Sequence, residues 1–266
     1  MIFHSAFQYS YLWLPLIGLI VGLLGSLIGG GGGFFYLPVL ILLFNTPAQV
    51  AVTTSLAATL PICLVGSLGH YSHGNIDLRM GFVFGLAGIL GTFSGAGLTK
   101  LMTAKQLQIS FGGYSILIAV HMLIDQWKQK RALANGTEIH DLSNPQKITK
   151  GSFYGFLAGI VTGTFGTTGN APVIAGLFAL RMPLRLVVGT SLMIVVFNTF
   201  SALGAHFLVG QIDLTLVYFL TAGAVIGSIS GPRLLSGVKT DHIEGPVRKW
   251  YALGMVIFGI VMILNK

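Results

Sequence analysis

Two short stretches carry residue types able to hold a small anion. Gly29 to Gly33 are consecutive glycines set between the apolar runs 11–28 and 34–44. Glycine costs about 1 kcal/mol relative to alanine inside a helix, so five in a row predict a break. In hydrocarbon, non-helical backbone is tolerated only where protein buries it or it lines a wet cavity. A helix restarting after the break, at Phe34, would offer free N–H groups and a partial positive charge to an oxyanion. The second stretch is Gly166-Thr167-Thr168-Gly169-Asn170, with a restart at Ala171 or Pro172. Its Thr167, Thr168 and Asn170 add side-chain donors. Gly31, Gly32, Gly33, Thr167, Thr168, Gly169 and Asn170 are therefore candidate binding residues. The plainer reading is that such glycines only let helices cross closely. The polarity of the second stretch favours a site.

Hydroxyls at Thr54, Ser55, Thr190 and Ser191 join the candidates. A single hydroxyl within a span usually bonds the carbonyl one turn back. That explains less well why Thr-Ser-Leu occurs twice at matched places. His70 and His206 close their apolar runs, near Asp77 and Asp213. Histidine titrates in the physiological range, so these two are candidates for proton coupling or gating, against a structural contact with a loop. Asp77 and Asp213 stand just before new apolar runs, where N-capping is expected. Asn198 lies mid-run with Ile62 as its counterpart, and is either substrate-facing or glue between helices.

Other chemistries lack their residues. No ionisable side chain falls near the centre of an apolar run, which argues against a cation pathway. No His/Cys/carboxylate set suggests a metal, and the glycine run lacks the Gly-Lys-Ser/Thr that follows in nucleotide-binding loops. No core nucleophile–base pair points to an enzyme, and no cofactor is implied. Cys63 is the sole cysteine, which excludes an internal disulfide.

The elements that must position these residues are membrane spans. Hydrophobic residues make up 53% of the 266 and charged residues 8%, against roughly 25% charged in soluble domains. Several apolar runs reach the length of about 20 residues that a bilayer crossing needs. The partner is thus a lipid bilayer, and the net charge of +8 reads as basic loops and headgroup contacts rather than a nucleic-acid footprint. Residues 11–28 have no basic flank and no small-residue cleavage pattern, so they are expected to be a retained membrane segment.

The chain repeats itself. His70-Tyr-Ser-His-Gly-Asn-Ile-Asp-Leu78 recurs as His206-Phe-Leu-Val-Gly-Gln-Ile-Asp-Leu214, a shift of 136 residues. The same shift carries Pro47 to Pro183, Thr54-Ser55-Leu56 to Thr190-Ser191-Leu192, Gly91 to Gly227 and Gly95 to Gly231. With one gap, Gly18 and Gly22 fall on Gly155 and Gly159, and the glycine run on 166–170. This gives a first repeat over 1–125, a polar cytoplasmic linker over 126–149 with turn signals at Asn135-Gly136 and Asn144-Pro145, and a second repeat over 150–266. Internal duplication marks many secondary transporters.

Each half has three spans after its glycine-rich element, about 48–70, 80–99 and 106–125, then 184–206, 214–232 and 247–264. If the leading element enters and leaves by one side, the halves are inverted. Arg79, Lys128, Lys130, Arg131, Lys147, Lys150, Arg181, Arg185, Arg233, Lys239, Arg248 and Lys249 then share the inner side, twelve against three (Lys100, Lys105, Lys266) outside. A parallel arrangement with four crossings per half splits them seven to eight. The basic bias of cytoplasmic loops therefore selects inverted repeats. The expected fold is an all-α polytopic membrane protein of two inverted repeats, each a broken re-entrant helical pair followed by three transmembrane helices. Residues 151–165 and 171–180 would be about 22 and 15 Å long as helices, too short for two crossings, and their tips should meet near the midplane.

A glycine run before Pro38, Thr-Ser-Leu in a span, then His-x-x-x-Gly-x-Ile-Asp, all of it duplicated, resembles the TauE/SafE family of sulfite exporter-like permeases over about 11–264. The resemblance implies transport of sulfur-containing oxyanions or organosulfonates, such as sulfite or sulfoacetate, across a bacterial or archaeal inner membrane. The expectation is a secondary transporter for such an anion, alternating access around a midplane site. A passive anion channel and a non-transporting assembly partner are the alternatives. Neither the particular anion, the direction, the coupling ion nor the oligomeric state follows from the sequence.

Overall fold

The computed structural model describes residues 2–134, 143–207, 211–237 and 244–264. The middle of the expected linker, Lys239 and the Gly210 of the second His-x-x-x-Gly segment lie outside them. Ten α-helices form among the described residues: α1 (Leu14–Ile28, entered through a 3-10 turn at Tyr9–Trp13), α2 (Gly33–Phe44), α3 (Ala48–Ser72), α4 (Leu78–Leu101), α5 (Ala104–Ala134), α6 (Asn144–Phe165), α7 (Asn170–Ala179), α8 (Leu184–Phe207), α9 (Leu214–Gly237) and α10 (Glu244–Leu264). Six helices are long and apolar enough to cross a membrane. Many outward side chains are large and apolar, such as Leu90, Phe93 and Leu117, as lipid-facing surfaces require. The chain is an all-α polytopic membrane protein. One small exception is a parallel pair of two-residue strands, β1 (Ile2–Phe3) on β2 (Ile212–Asp213).

Two expected lengths need correction. The helix leading the second half starts at Asn144, not Gly151, because Ser143 and Gln146 form a capping box and Pro145 occupies the first turn. Its 22 residues extend about 33 Å, but the first seven are mostly polar and α6 is not one of the six apolar enough to cross a membrane. Likewise α5 continues to Ala134, so both ends of the polar segment 126–149 are helical. The short elements are α2 and α7, of 12 and 10 residues.

Packing between the halves is intimate. Gly155, Gly159 and Gly163 of α6 face α4, where a methyl on any of them would run into the backbone of Phe84, Gly88 or Thr92. Gly18 and Gly22 of α1 meet Leu220 and Ala224 of α9 in the same way. Small residues let backbones approach where lipid offers no hydrophobic drive. The tightest packing thus joins opposite halves, α6 with α4 and α1 with α9, while α3 packs on both α8 and α9.

Directions follow from these contacts. Gly66 of α3 lies beside Leu192 of α8, and His70 beside Gly189, so α3 and α8 run antiparallel. By contrast Gly81, Gly85 and Gly88 of α4 meet Met193, Phe197 and Asn198 of α8, so that pair is parallel. The matched helices α3 and α8 thus point oppositely, while α4 runs with α8. Arg79, Lys147, Lys150, Arg185 and Lys249 fall in the first two turns of helices, Arg181 in the turn before α8, and Lys100 and Lys105 at the junction of α4 and α5. The turns after α2 and α7 also match: Asn45 (φ 50°) and Arg181 (φ 62°) are the two non-glycine residues with positive φ among the described ones, 136 apart.

Candidate functional site

Each leading helix ends on a left-handed glycine. Gly29 (φ 81°) closes α1, with Gly30 N–H donating to Gly25 O at 2.7 Å, and Gly32 (φ 79°) opens α2. Gly166 (φ 64°) closes α6, donating to Thr162 O at 3.0 Å, and Gly169 (φ 54°) opens α7. A left-handed backbone is costly for any residue with a Cβ, which fixes glycine at these four positions. After each break the chain folds back on its own helix. Gly32 sits against Val21 of α1, and Gly169 against Ala158 and Thr162 of α6.

The expected hydroxyls surround the breaks but are committed to the backbone. Ser55 donates to Gly166 O at 2.6 Å and to Val52 O at 2.8 Å. Ser191 donates to Gly29 O and to Val188 O, each at 2.8 Å. Thr54 Oγ1 accepts from Asp213 N–H at 3.1 Å, and Thr190 Oγ1 from Asp77 N–H at 2.8 Å. Every bond has its mate in the other half, offset by 136 residues, or by 137 for the break carbonyls Gly29 and Gly166. Each half uses its Ser to hold the break of the other half, and its Thr to hold the other half's Ile-Asp turn.

The histidines complete the scheme. His70 Nε2 lies 3.3 Å from Ser26 O, and His206 Nε2 contacts Gly163 O. A carbonyl only accepts, so Nε2 carries the proton in both rings. His70 Nδ1 is then an acceptor, and Asn75 Nδ2 stands 3.5 Å from it. These contacts cap carbonyls at the ends of α1 and α6. Asp77 N-caps α4 through Met80 N–H at 3.0 Å. Asp213 does the same for α9 through Thr215 N–H at 3.0 Å, and also accepts Ser5 N–H at 3.3 Å.

The breaks meet each other. A methyl on Gly30 would stand 2.7 Å from Asn170 Nδ2, and one on Gly33 would stand 2.8 Å from Thr168 Cγ2 and 3.0 Å from Thr59 Oγ1. Gly31 abuts Cys63 and Thr59 at the middle of α3. The helices α1 and α6 pass that level, reaching His70 and His206, and the glycines step the chain back to it. At this meeting point, Thr59 Oγ1, Thr168 Oγ1 and both amide atoms of Asn170 are buried without a hydrogen-bond partner. The starts of α2 and α7 lie here as well, and a helix start leaves N–H groups without intrahelical acceptors, although Phe35 N–H is already given to Gly32 O at 3.0 Å.

Sequence reasoning missed Thr59 and Cys63. The signal was helical spacing: Ser55, Thr59 and Cys63 follow one another at intervals of four residues, on one face of α3. Of the expected donors, Gly31, Gly33, Thr168 and Asn170 come together. Gly32 and Thr167 lie within the breaks, and Thr54, Ser55, Thr190 and Ser191 support them. Asn198 packs against Gly88 of α4, with both amide atoms unpartnered. No group of three or more metal-ligating side chains occurs among the described residues.

Comparison with known proteins agrees with this architecture. The family described as sulfite exporter TauE/SafE matches residues 14–262. The chain is 31% identical over 222 residues to the probable membrane transporter protein YdhB of Bacillus subtilis, covering 82% of this chain and 87% of that one. It is 26% identical over 251 residues to YunE of the same organism, also named a probable membrane transporter protein, covering 88% and 92%. A third such protein, MJ0441 of Methanocaldococcus jannaschii, is 23% identical over 92% of this chain and 94% of its own. No solved structure matches.

Proposed function

The chain belongs to the sulfite exporter TauE/SafE family and is a membrane transporter, and from that premise we propose that it is a secondary transporter of small sulfur-containing oxyanions or organosulfonates. The observation that carries this reading is the set of unpartnered, buried donors where the two breaks meet. Buried polar groups are nearly always paired, and an unpaired one costs free energy that a ligand can recover. Oxyanion oxygens would accept bonds from Thr59, Thr168 and Asn170, and from N–H groups at the starts of α2 and α7. With no Lys or Arg in the two breaks or in α3 among the described residues, the anion would be released readily, as a carrier requires.

The opposite directions of matched helices support inverted repeats and alternating access. Moving units would be drawn from both sequence halves, since α1 packs on α9 and α6 on α4. The side rich in Arg and Lys would face the cytoplasm, and the membrane would be the inner one. The hydroxyls of Thr54, Ser55, Thr190 and Ser191 would then serve as clamps that break and re-form as each side opens.

Flux in proteoliposomes tests this. Sulfite uptake should saturate and show counterflow when unlabelled anion is trapped inside. Linear, non-saturating flux would indicate a passive anion channel on the same scaffold. Absence of flux for every sulfur anion would overturn the substrate class.

A further inference from the structure

The polar groups at the meeting of the breaks specify more than an anion. Asn170 is only 3% exposed, and Thr59 and Thr168 are each 1% exposed. Neither Nδ2 nor Oδ1 of Asn170 has a partner. A side-chain amide offers two donors at one end and an acceptor at the other. Whichever way the amide is turned, one end is an acceptor without a donor. The oxygens of a deprotonated oxyanion can satisfy the amide NH₂, the threonine hydroxyls and the helix-start N–H groups. They cannot satisfy the amide oxygen. A hydrogen on the ligand can.

Among the described residues, no Lys or Arg lies in the two breaks or in α3. Cys63 abuts Gly31, and Tyr36, whose hydroxyl is also buried and unpartnered, lies near Cys63. His70 and His206 are turned to carbonyls of α1 and α6. Neutral donors can stabilise one negative charge. The cost of desolvating an ion rises steeply with its charge, and without a counter-ion a second charge goes uncompensated.

Resting on the transporter reading above, we infer that this site selects a singly charged anion that carries its own hydrogen-bond donor. It discriminates against a dianion, and against a monoanion of similar shape that lacks the donor.

The test uses the full chain in proteoliposomes at neutral pH with three probes: 2-hydroxyethanesulfonate, ethanesulfonate and sulfate. The first two differ by one hydroxyl at equal charge. The hydroxylated sulfonate should be carried at least about tenfold more efficiently than ethanesulfonate, the scale set by leaving one buried polar group unpaired. Sulfate should stay at background. Asn170→Ala should reduce the preference between the sulfonates to about unity, and the wild-type comparison stands whether or not that variant folds. Equal flux of the two sulfonates, or sulfate flux matching theirs, would overturn the inference and leave the transporter reading intact. Failure of all three together with sulfite would overturn both.

Discussion

The Ser55 hydroxyl stands 2.6 Å from the carbonyl oxygen of Gly166, across 111 residues of chain. Its counterpart, Ser191, holds Gly29 O at 2.8 Å. Each break is pinned by the other half. Replacing Ser55 by Ala leaves a buried carbonyl with one fewer donor, which costs about 1–3 kcal/mol. The Ser191→Ala change should cost a similar amount. Thermal melting of the detergent-solubilised protein should show both losses, summing in the double variant because the sites share no partner. A clearly sub-additive double variant would mean that the two clamps are coupled.

Thr59→Val and Thr168→Val remove hydroxyls that bond nothing in this state. Relief of unpaired burial should leave melting unchanged or raised. Affinity for the transported anion should fall by about tenfold for each, the equivalent of one lost hydrogen bond of ~1.4 kcal/mol. Flux titrations on the two variants measure this. Unchanged affinity in both would remove them from the site.

The glycines of the breaks should be far less tolerant than one in a loop. Gly166 has φ 64°, and a methyl there would stand 2.7 Å from Val52 Cα. Strain of about 1–2 kcal/mol from the left-handed backbone adds to overpacking of about 1–3 kcal/mol. Gly74 has φ 68° with nothing within 4 Å, so Gly74→Ala should bear only the first cost. The yield of folded, monodisperse protein should separate Gly166→Ala from Gly74→Ala. For the same reason Gly169→Val should fail to fold rather than fold without transporting, since Ala158 and Thr162 fill the space.

His70 and His206 each donate through Nε2 to a carbonyl at the end of a leading helix. A capping role predicts that His70→Gln, which keeps a donor, retains most flux with an unaltered pH profile. His70→Phe should lose stability by about 1–3 kcal/mol through the orphaned carbonyl. A pH profile flattened by the Gln variant would instead make the imidazole part of the coupling path.

Much of the architecture was legible because it follows from periodic signals. The long apolar runs marked the helices able to cross a membrane, and the offset of 136 residues between His70 and His206 pointed to a duplication. Pairwise commitments were not legible. Nothing local distinguishes the Ser55 hydroxyl, consumed by Gly166 O, from that of Thr59 one turn later, which is free. The difference depends on which residue of a distant segment lies opposite. The start of α6 was misplaced because 144–150 is polar, and apolar patterning is blind to a helix that continues into water. Its Ser143–Gln146 capping box was a readable signal.

The exchange of helices between halves also constrains how the protein is made. The N-terminal helix α1 lies in backbone contact with α9, some two hundred residues later in the chain. Until α9 has entered the bilayer, the glycine face of α1 has only lipid beside it. Gly29 O likewise waits for Ser191. The first half therefore cannot reach its final packing as an autonomous unit during synthesis, and assembly must be completed after the last helices insert. Severing the chain between α5 and α6 should give two fragments that are each unstable alone and recover the native bundle only when produced together.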